Sequence, residues 1–341
     1  MTAAPAREHP SRRSIALTIV AALVGTALLV WQVRQVGLAE IASGFSAVGA
    51  GFAGVLVLSW FRFVLRALAW RALLPPGVRL GPVVAAAMAG DALGNLTPLS
   101  ILVGEPTKVM YLGRAVPPSR AAAALTAENF FYSVSVAIYV VLGTAAMLVA
   151  FPVPGVVADA GIVALVLMAV VLAGAAWLAW QRPALASAVV SRLPSARLRG
   201  LVDHVRTFEQ QSYGSSGGQA GRLATVVLAE ATFHVFSFIE TWGVLWLLTG
   251  ASLPLEAFVL DTFSRIVNVV FKIVPLRLGV DEYASREVAE AIGLGGATGL
   301  TLALVRKGRV LVWAAVGVVL VVRRTRRRLT SPVAPRSPST S

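Results

Sequence analysis

The sequence predicts an all-α polytopic membrane protein with six full spans and two re-entrant broken-helix hairpins, arranged as an inverted repeat. Of its 341 residues, 57% are hydrophobic and 13% are charged, whereas charged residues make up about 25% of an average soluble domain. Apolar stretches of about 20 residues or more recur along the chain, and each is long enough to cross a bilayer. Two further apolar stretches contain Pro, Gly and ionisable residues, which a lipid-facing span does not tolerate.

The first half of the chain, residues 14–149, is predicted to hold three of the spans. A basic N-terminus, residues 1–13, is expected to be disordered. Ser14–Val33 is long for a signal peptide and no small-residue cleavage site follows it, so it is interpreted as the first span. A short loop, Gln35–Ala47, leads to the second span, Val48–Leu74, and the third span is Arg120–Val149.

The segment Pro82–Arg114 between the second and third spans is predicted to be a hairpin. Its centre, Gly90–Lys108, reads GDALGNLTPLSILVGEPTK. Proline removes a backbone donor that lipid cannot replace. The residues expected to break the helix are Gly94, Asn95, Pro98 and Gly104. Glu105 and Lys108 follow at membrane depth, and a half-helix starting near Glu105 would aim free N–H groups inward.

The second half, residues 150–322, has the same order of elements. Its spans are Val156–Trp180, Leu223–Leu248 and Thr298–Val322, and Glu256–Ile292 is its broken segment. The arginine-rich loop 181–222 shows helical spacing of apolar residues, which predicts a short amphipathic helix on the membrane surface. Residues 323–341 are basic at first and are then expected to be disordered.

Charge sets the predicted topology. If the two hairpins enter from opposite faces, the N-terminus, the arginine-rich loop and the basic tail all lie inside, as the positive-inside rule expects. The second half is then inverted relative to the first, a plan that places interrupted segments at the bilayer midplane. We therefore expect a multi-pass protein of the cell membrane with both termini cytoplasmic. Hydropathy alone would give seven or eight helices.

Composition excludes several classes of site. The chain has no cysteine and three histidines, so disulfides and thiol nucleophiles are ruled out. No HExxH metalloprotease motif and no P-loop occurs. We therefore expect no metal, no cofactor and no enzyme activity. The formal charge of +14 is explained by membrane topology rather than by nucleic-acid binding.

Both signs of charge occur inside the predicted membrane segments. Cations and hydrogen-bond donors suit a lipid phosphate, and carboxylates suit a headgroup amine. The alternative is that these charges only pair with one another and hold the bundle in register. Glu230 and His234, four residues apart in one span, are predicted to form a buried hydrogen-bonded pair rather than a proton relay. The candidate substrate-binding residues are Arg62, Arg66, Asn95, Glu105, Lys108, Glu128, Arg265, Asn268, Asp281, Glu282, Arg306 and Lys307.

Three motifs resemble a known family. GDALGNLTPLSILVGEPTKVMYL, LTAENFFYS and VNVVFKIVPLRLGVDEY are similar to the lysylphosphatidylglycerol synthase transmembrane-region family, also described as flippase-like domain proteins. The resemblance implies a lipid-handling membrane protein. In the best-known members this domain is fused to an aminoacyl transferase and is thought to move aminoacylated phospholipid between leaflets. This chain resembles a stand-alone member without the transferase.

The function expected from these observations is a flippase-like protein that binds a phospholipid or isoprenoid lipid and passes it between leaflets through a charged midplane cavity. One alternative is an intramembrane lipid-headgroup enzyme with Glu105 and Glu128 as paired carboxylates. Another is an accessory subunit that binds a lipid-biosynthetic enzyme through the arginine-rich loop. The expected partners are membrane lipids, with an anionic lipid surface at the basic loop and tail and no nucleic acid.

Overall fold

A computed structural model describes residues 34, 38–97, 100–113, 116–180, 219–271 and 274–330. The predicted first span Ser14–Val33, the predicted surface helix within 181–218 and the tail after residue 330 lie outside the described residues. The described part is helical, with ten α-helices and no strand. They are α1 (Leu38–Val48), α2 (Gly51–Leu73), α3 (Leu80–Leu96), α4 (Ser100–Leu112), α5 (Pro118–Ala150), α6 (Gly155–Trp180), α7 (Gln219–Thr249), α8 (Pro254–Val270), α9 (Val280–Ala291) and α10 (Gly296–Thr330).

The long helices confirm a polytopic membrane protein. Four of the described helices, α2, α5, α6 and α7, are long and apolar enough to cross a membrane. Helix α10 has 35 residues, more than the roughly 20 that a span needs, but several cations interrupt it. Proline opens α5 and α8 at the first helical position, where its missing N–H would have no helical partner anyway.

The segment before the second span differs from the prediction. Residues 35–47 were expected to form a loop, yet Leu38–Val48 is a helix. It ends at Gly49, whose φ of 41° is left-handed and whose N–H donates to the carbonyl oxygen of Phe45 at 3.0 Å. Val48 is buried in one hydrophobic cluster with Val55 and Leu245, so tertiary packing stabilises a helix that hydropathy alone does not reveal. The second span therefore starts at Gly51.

The first broken segment is a helical hairpin made by α3 and α4. Its arms have 17 and 13 residues, both below the roughly 20 needed to cross a bilayer. Gly104 lies inside α4 and does not break the helix. It instead allows the backbones of α3 and α4 to approach each other closely. A Cβ on Gly90 would lie 2.7 Å from the carbonyl oxygen of Gly104. Helix α4 begins at Ser100, so the expected half-helix start near Glu105 is also wrong.

The second broken segment is a hairpin made by α8, a short 3₁₀ turn and α9. The turn carries three residues with left-handed φ, namely Leu276 at 51°, Arg277 at 52° and Gly279 at 79°. This conformation is unfavourable for Leu and Arg and needs support from the surrounding structure. The Lys307 ammonium group supplies part of that support, since it donates to the carbonyl oxygen of Leu276 at 2.5 Å.

The helix contacts follow a two-fold pattern between the halves. Helices α2 and α7 pack against each other, and each hairpin packs against the last helix of the other half, α3 against α10 and α8 against α5. A glycine permits each cross-half contact: a Cβ on Gly317 would collide with Met88 and Ala92, and a Cβ on Gly143 would collide with Thr262. Small residues let helix backbones approach in this way. Each half thus contributes its hairpin to one of these contacts and its last helix to the other.

Candidate functional site

A cavity of about 370 Å³ lies between α2, α5, α6, α7, α8 and α10. Its wall has a polar part and an apolar part. The apolar part comes from Val136 of α5, Met168 and Val171 of α6, and Val269 of α8. The polar part holds the side chains Arg62, Tyr132, Ser133, Ser237, Glu240, Asp261, Ser264, Arg265, Asn268, Arg306 and Arg309.

Glu240 of α7 ties two arginines together at this cavity. Its carboxylate accepts hydrogen bonds from Nη1 of Arg62 at 3.0 Å and from Nη1 of Arg309 at 2.5 and 2.6 Å. Glu240 is 3% exposed. The guanidinium of Arg62 also lies 4.7 Å from the ring centroid of Phe233, a cation–π contact. Helices α2, α7 and α10 are thus joined by one buried carboxylate.

Asp261 of α8 is the second carboxylate of the cavity. It accepts hydrogen bonds from Nε and Nη2 of Arg265 at 3.2 and 2.9 Å. The hydroxyls of Ser237 and Thr241 donate to its other oxygen at 3.0 and 3.3 Å. Nη2 of Arg306 lies 4.0 Å from that oxygen and donates to Thr241 at 2.9 Å.

The cavity has more positive than negative charge. Four arginines and two carboxylates line it, which leaves an excess of two positive charges. Two of the arginine N–H groups, Nε of Arg62 and Nη1 of Arg306, are buried without a hydrogen-bond partner among the described residues. Buried donors of this kind are costly unless a ligand or water accepts from them. The arrangement suits an oxyanion such as a phosphate.

A second polar chain connects the first hairpin with α2 and α5. Lys108 contacts Asp91 at 2.8 Å and Glu105 at 3.1 Å. Glu105 accepts from the Asn129 amide at 2.9 Å. Arg66 of α2 donates to Asn129 at 3.2 Å and to both oxygens of Glu128 at 2.5 and 3.0 Å. Its guanidinium also lies 3.8 Å from the ring centroid of Tyr132, which lines the cavity.

The tip of the second hairpin is held by a buried clamp. Glu282 is fully buried and contacts the Lys307 ammonium at 3.2 Å. Its other oxygen accepts from the Gly279 N–H at 2.8 Å. Arg277 of the same turn donates to Asn95 of the first hairpin at 3.4 Å. The two hairpin tips therefore meet, as a shared site between two repeats requires.

The structure divides the predicted site residues into three groups. The residues that line the cavity are Arg62, Arg265, Asn268 and Arg306. Those in the polar chain of the first hairpin are Arg66, Glu105, Lys108 and Glu128, and those at the hairpin tips are Asn95, Asp281, Glu282 and Lys307. Asn268 donates its amide to the carbonyl oxygen of Ser264 at 2.7 Å, and one oxygen of Asp281 is buried without a hydrogen-bond partner among the described residues.

The binding residues predicted from the sequence did not include Glu240, Asp261 or Arg309, which also line the cavity. Asp261 precedes Arg265 by four residues on α8, a helical spacing that favours an ion pair and so gave a usable signal. Glu240 and Arg309 meet across 69 positions of sequence, and no local pattern predicts their contact.

The predicted hydrogen bond between Glu230 and His234 is wrong. Nε2 of His234 instead contacts the Ser135 hydroxyl of α5 at 2.9 Å, and its ring stacks on Tyr139 with the ring centroids 4.9 Å apart. Glu230 is 2% exposed, and both of its oxygens lack a hydrogen-bond partner among the described residues. His234 thus contacts a residue of another helix instead of the predicted partner on its own helix.

Among the described residues, no group of three or more His, Asp or Glu side chains is placed to hold a metal ion.

Comparison with known proteins leads to a single family. No curated protein and no solved structure gives a significant match to the chain. The family model described as lysylphosphatidylglycerol synthase TM region matches residues 16–318, which include both hairpins and every lining residue of the cavity. The chain therefore belongs to the lysylphosphatidylglycerol synthase transmembrane-region family of membrane proteins.

Proposed function

We propose that this protein binds the anionic headgroup of a membrane lipid in the arginine-lined cavity and moves that lipid between the leaflets. The observation that carries the proposal is the charge of the cavity wall, four arginines against two carboxylates. Ionisable groups inside a membrane protein mark the route of a polar substrate. Membership of a lipid-handling family supports the same function.

The headgroup chemistry follows from the arginines that line the cavity. Guanidinium groups donate to phosphate oxygens and match phosphate geometry, and four of them lie in the wall. An aminoacylated headgroup would bring a further positive charge to a wall that already has two in excess. We therefore propose an anionic lipid with an unmodified phosphate headgroup as the substrate.

The acyl chains need a different surface. Val136, Met168, Val171 and Val269 form one side of the cavity, and this side lies on α5, α6 and α8. Apolar side chains there let the acyl chains stay in a hydrocarbon environment while the phosphate meets the arginines. The cavity thus offers separate surfaces for the two parts of one lipid.

The proposal places the protein in the cell membrane with cytoplasmic termini, as basic residues in its loops and tail favour. It assigns no catalytic residue. The carboxylates Glu105 and Glu128, candidates for acid–base chemistry, are engaged by Lys108, Asn129 and Arg66.

The test is lipid movement in reconstituted liposomes. The protein is reconstituted with fluorescent phosphatidylglycerol or phosphatidylcholine, and an impermeant reductant bleaches the label of the outer leaflet. We expect faster loss of the inner-leaflet label for phosphatidylglycerol than for phosphatidylcholine, and at least a tenfold decrease in Arg306→Gln, since a charge-assisted hydrogen bond contributes about 1.5–3 kcal/mol.

Arg120→Gln is the matched control. Arg120 is exposed in the first turn of α5 and lies outside the cavity lining, so its loss should leave the rate unchanged. Equal rates for liposomes with and without protein would contradict the proposal. A preference for phosphatidylcholine would contradict the assignment of an anionic headgroup.

A further inference from the structure

Glu230 of α7 is a buried acid that the lipid-binding cavity does not use. Its side chain does not line the cavity. The residue is 2% exposed, and both carboxyl oxygens lack a hydrogen-bond partner among the described residues. An ionised carboxylate buried without a partner is so unfavourable that the group takes up a proton instead.

A second buried acid, Glu128, lies on α5, a helix that packs against α7. The carboxyl groups of Glu230 and Glu128 interact electrostatically. Two ionised carboxylates can only accept hydrogen bonds, so they cannot bond to each other. A single proton on Glu230 changes this, because its O–H then donates to a Glu128 oxygen. Two carboxyl groups that share a site hold one proton between them for this reason.

The arginines around Glu230 already donate hydrogen bonds to other carboxylates. From α2, Arg66 directs two N–H groups at Glu128. From α8, Arg265 directs two N–H groups at Asp261. On α7 itself, the next titratable group is His234, which contacts Ser135.

The other helices packed against α7 add no counter-charge for Glu230. From α10, Arg309 and Arg306 face Glu240 and Asp261 instead. Residues 42–48 of α1 carry no ionisable side chain. Arg66 and Arg265 act on Glu230 only at longer range, and no described cation donates a hydrogen bond to its carboxyl oxygens.

We propose that Glu230 and Glu128 form a proton-binding site, with one exchangeable proton on Glu230 that couples lipid movement to proton movement. The coupling, though not the proton site, rests on the proposed lipid transport. Arg66 links the two sites, because it binds Glu128 and stacks on Tyr132 of the cavity wall. An anionic headgroup that attracts Arg66 away from Glu128 frees the Glu128 oxygens to accept the proton of Glu230.

The pair also has a polar connection to the surface. Through Arg66 and Asn129 it reaches Glu105 and Asp91. Their side chains are 29% and 42% exposed. These partly exposed carboxylates would give the proton a place to enter and leave, as in the acidic relays of other transporters.

The first experiment is carbodiimide labelling of the full-length protein in liposomes, with mass spectrometry to locate the adduct. A hydrophobic carbodiimide reacts with protonated carboxyl groups in apolar surroundings. Glu240 is the internal control, since it lies on the same helix, is 3% exposed and is paired with two arginines. We expect labelling of Glu230 and not of Glu240, with the yield falling as pH rises.

An infrared measurement covers the case in which the reagent does not reach the site. The band of a protonated carboxyl group should be present in the wild-type protein and lost in Glu230→Gln, a change that keeps the shape and can still donate to Glu128. Absence of this band in the wild-type protein would overturn the proposal. So would equal labelling of Glu240, or labelling of Glu230 that Na⁺ suppresses at constant pH, because the carboxylate would then hold a sodium ion.

The second experiment tests coupling. A pH gradient across the liposome should shift the steady-state distribution of fluorescent phosphatidylglycerol between leaflets in the wild-type protein and should not do so in Glu230→Gln. If the pH gradient leaves the lipid distribution of the wild-type protein unchanged, the coupling is contradicted. If no lipid moves even at symmetric pH, the proposed transport fails and the coupling fails with it, while labelling and infrared data still decide the proton site.

Discussion

Glu240→Gln is expected to destabilise the helix bundle and to strengthen the binding of an anionic lipid. The substitution keeps the shape of the side chain and removes its charge. The carboxylate now accepts from Arg62 at 3.0 Å and from Arg309 at 2.5 and 2.6 Å. Without it, two guanidinium groups face each other across the cavity, and the excess of positive charge there rises from two to three.

The magnitude follows from the burial of the three groups. Removing one partner of a buried ion pair costs about 3–5 kcal/mol. The side chains of Arg62 and Arg309 are 17% and 15% exposed, so they can turn toward the cavity, and we expect the lower end, about 3 kcal/mol. Arg62→Gln leaves Glu240 paired with Arg309 and should cost only about 1.5 kcal/mol, the contribution of one charged hydrogen bond.

Two assays measure the two effects. Titration of mixed micelles with sodium dodecyl sulfate, followed by tryptophan fluorescence, gives the free energy of unfolding. Native mass spectrometry with phosphatidylglycerol gives the bound fraction, which should rise in Glu240→Gln and fall in Arg62→Gln. A Glu240→Gln protein as stable as the wild type, or one that binds less phosphatidylglycerol, would refute the reasoning from the cavity charge.

Two further predictions concern the hairpins. Gly90→Ala should destabilise the protein by about 1–3 kcal/mol through overpacking, because the new Cβ would lie 2.7 Å from a Gly104 oxygen. Gly81→Ala, with nothing within 4 Å, is the control and should not lower the thermal midpoint, since Ala favours a helix more than Gly does. Lys307→Met should lower the free energy of unfolding by about 3–5 kcal/mol, since Glu282 would be buried without its cation. Adding Glu282→Gln should restore most of that stability, and equal loss in the single and double variants would contradict the role of the ion pair.

Much of the fold could be predicted from the sequence because length and hydropathy are local properties. The apolar runs gave α2, α5, α6 and α7, and interruption by Pro and ionisable residues gave both hairpins. The helix at Leu38–Val48 could not be predicted in this way, since a contact of Val48 with distant residues stabilises it. Gly104 shows a related limit. Glycine occurs both in turns and at close helix contacts, and only the folded structure shows which of the two applies at a given position.

The site was predictable as a set of charges and not as a set of contacts. Arg62, Arg265 and Arg306 were identified because a charge inside an apolar span is unusual. Their carboxylate partners required the tertiary structure, as the contact of Glu240 with Arg309 shows. Glu230 and His234 have the spacing of a bonded pair, yet His234 contacts Ser135 on another helix instead, and Glu230 has no hydrogen-bond partner among the described residues.

The exchange of packing partners between the two halves has a consequence for biosynthesis. Helix α3 packs against α10, and about 200 residues separate the end of α3 from the start of α10. At a synthesis rate of roughly 5–20 residues per second, the first hairpin waits on the order of ten seconds or more for its partner to be made. During that time its polar groups lie in a half-built bundle, so we expect chaperones or proteases of the membrane to meet the nascent first half. A chain stopped before α10 should be degraded rapidly, and separate synthesis of the missing half in the same cell should protect it.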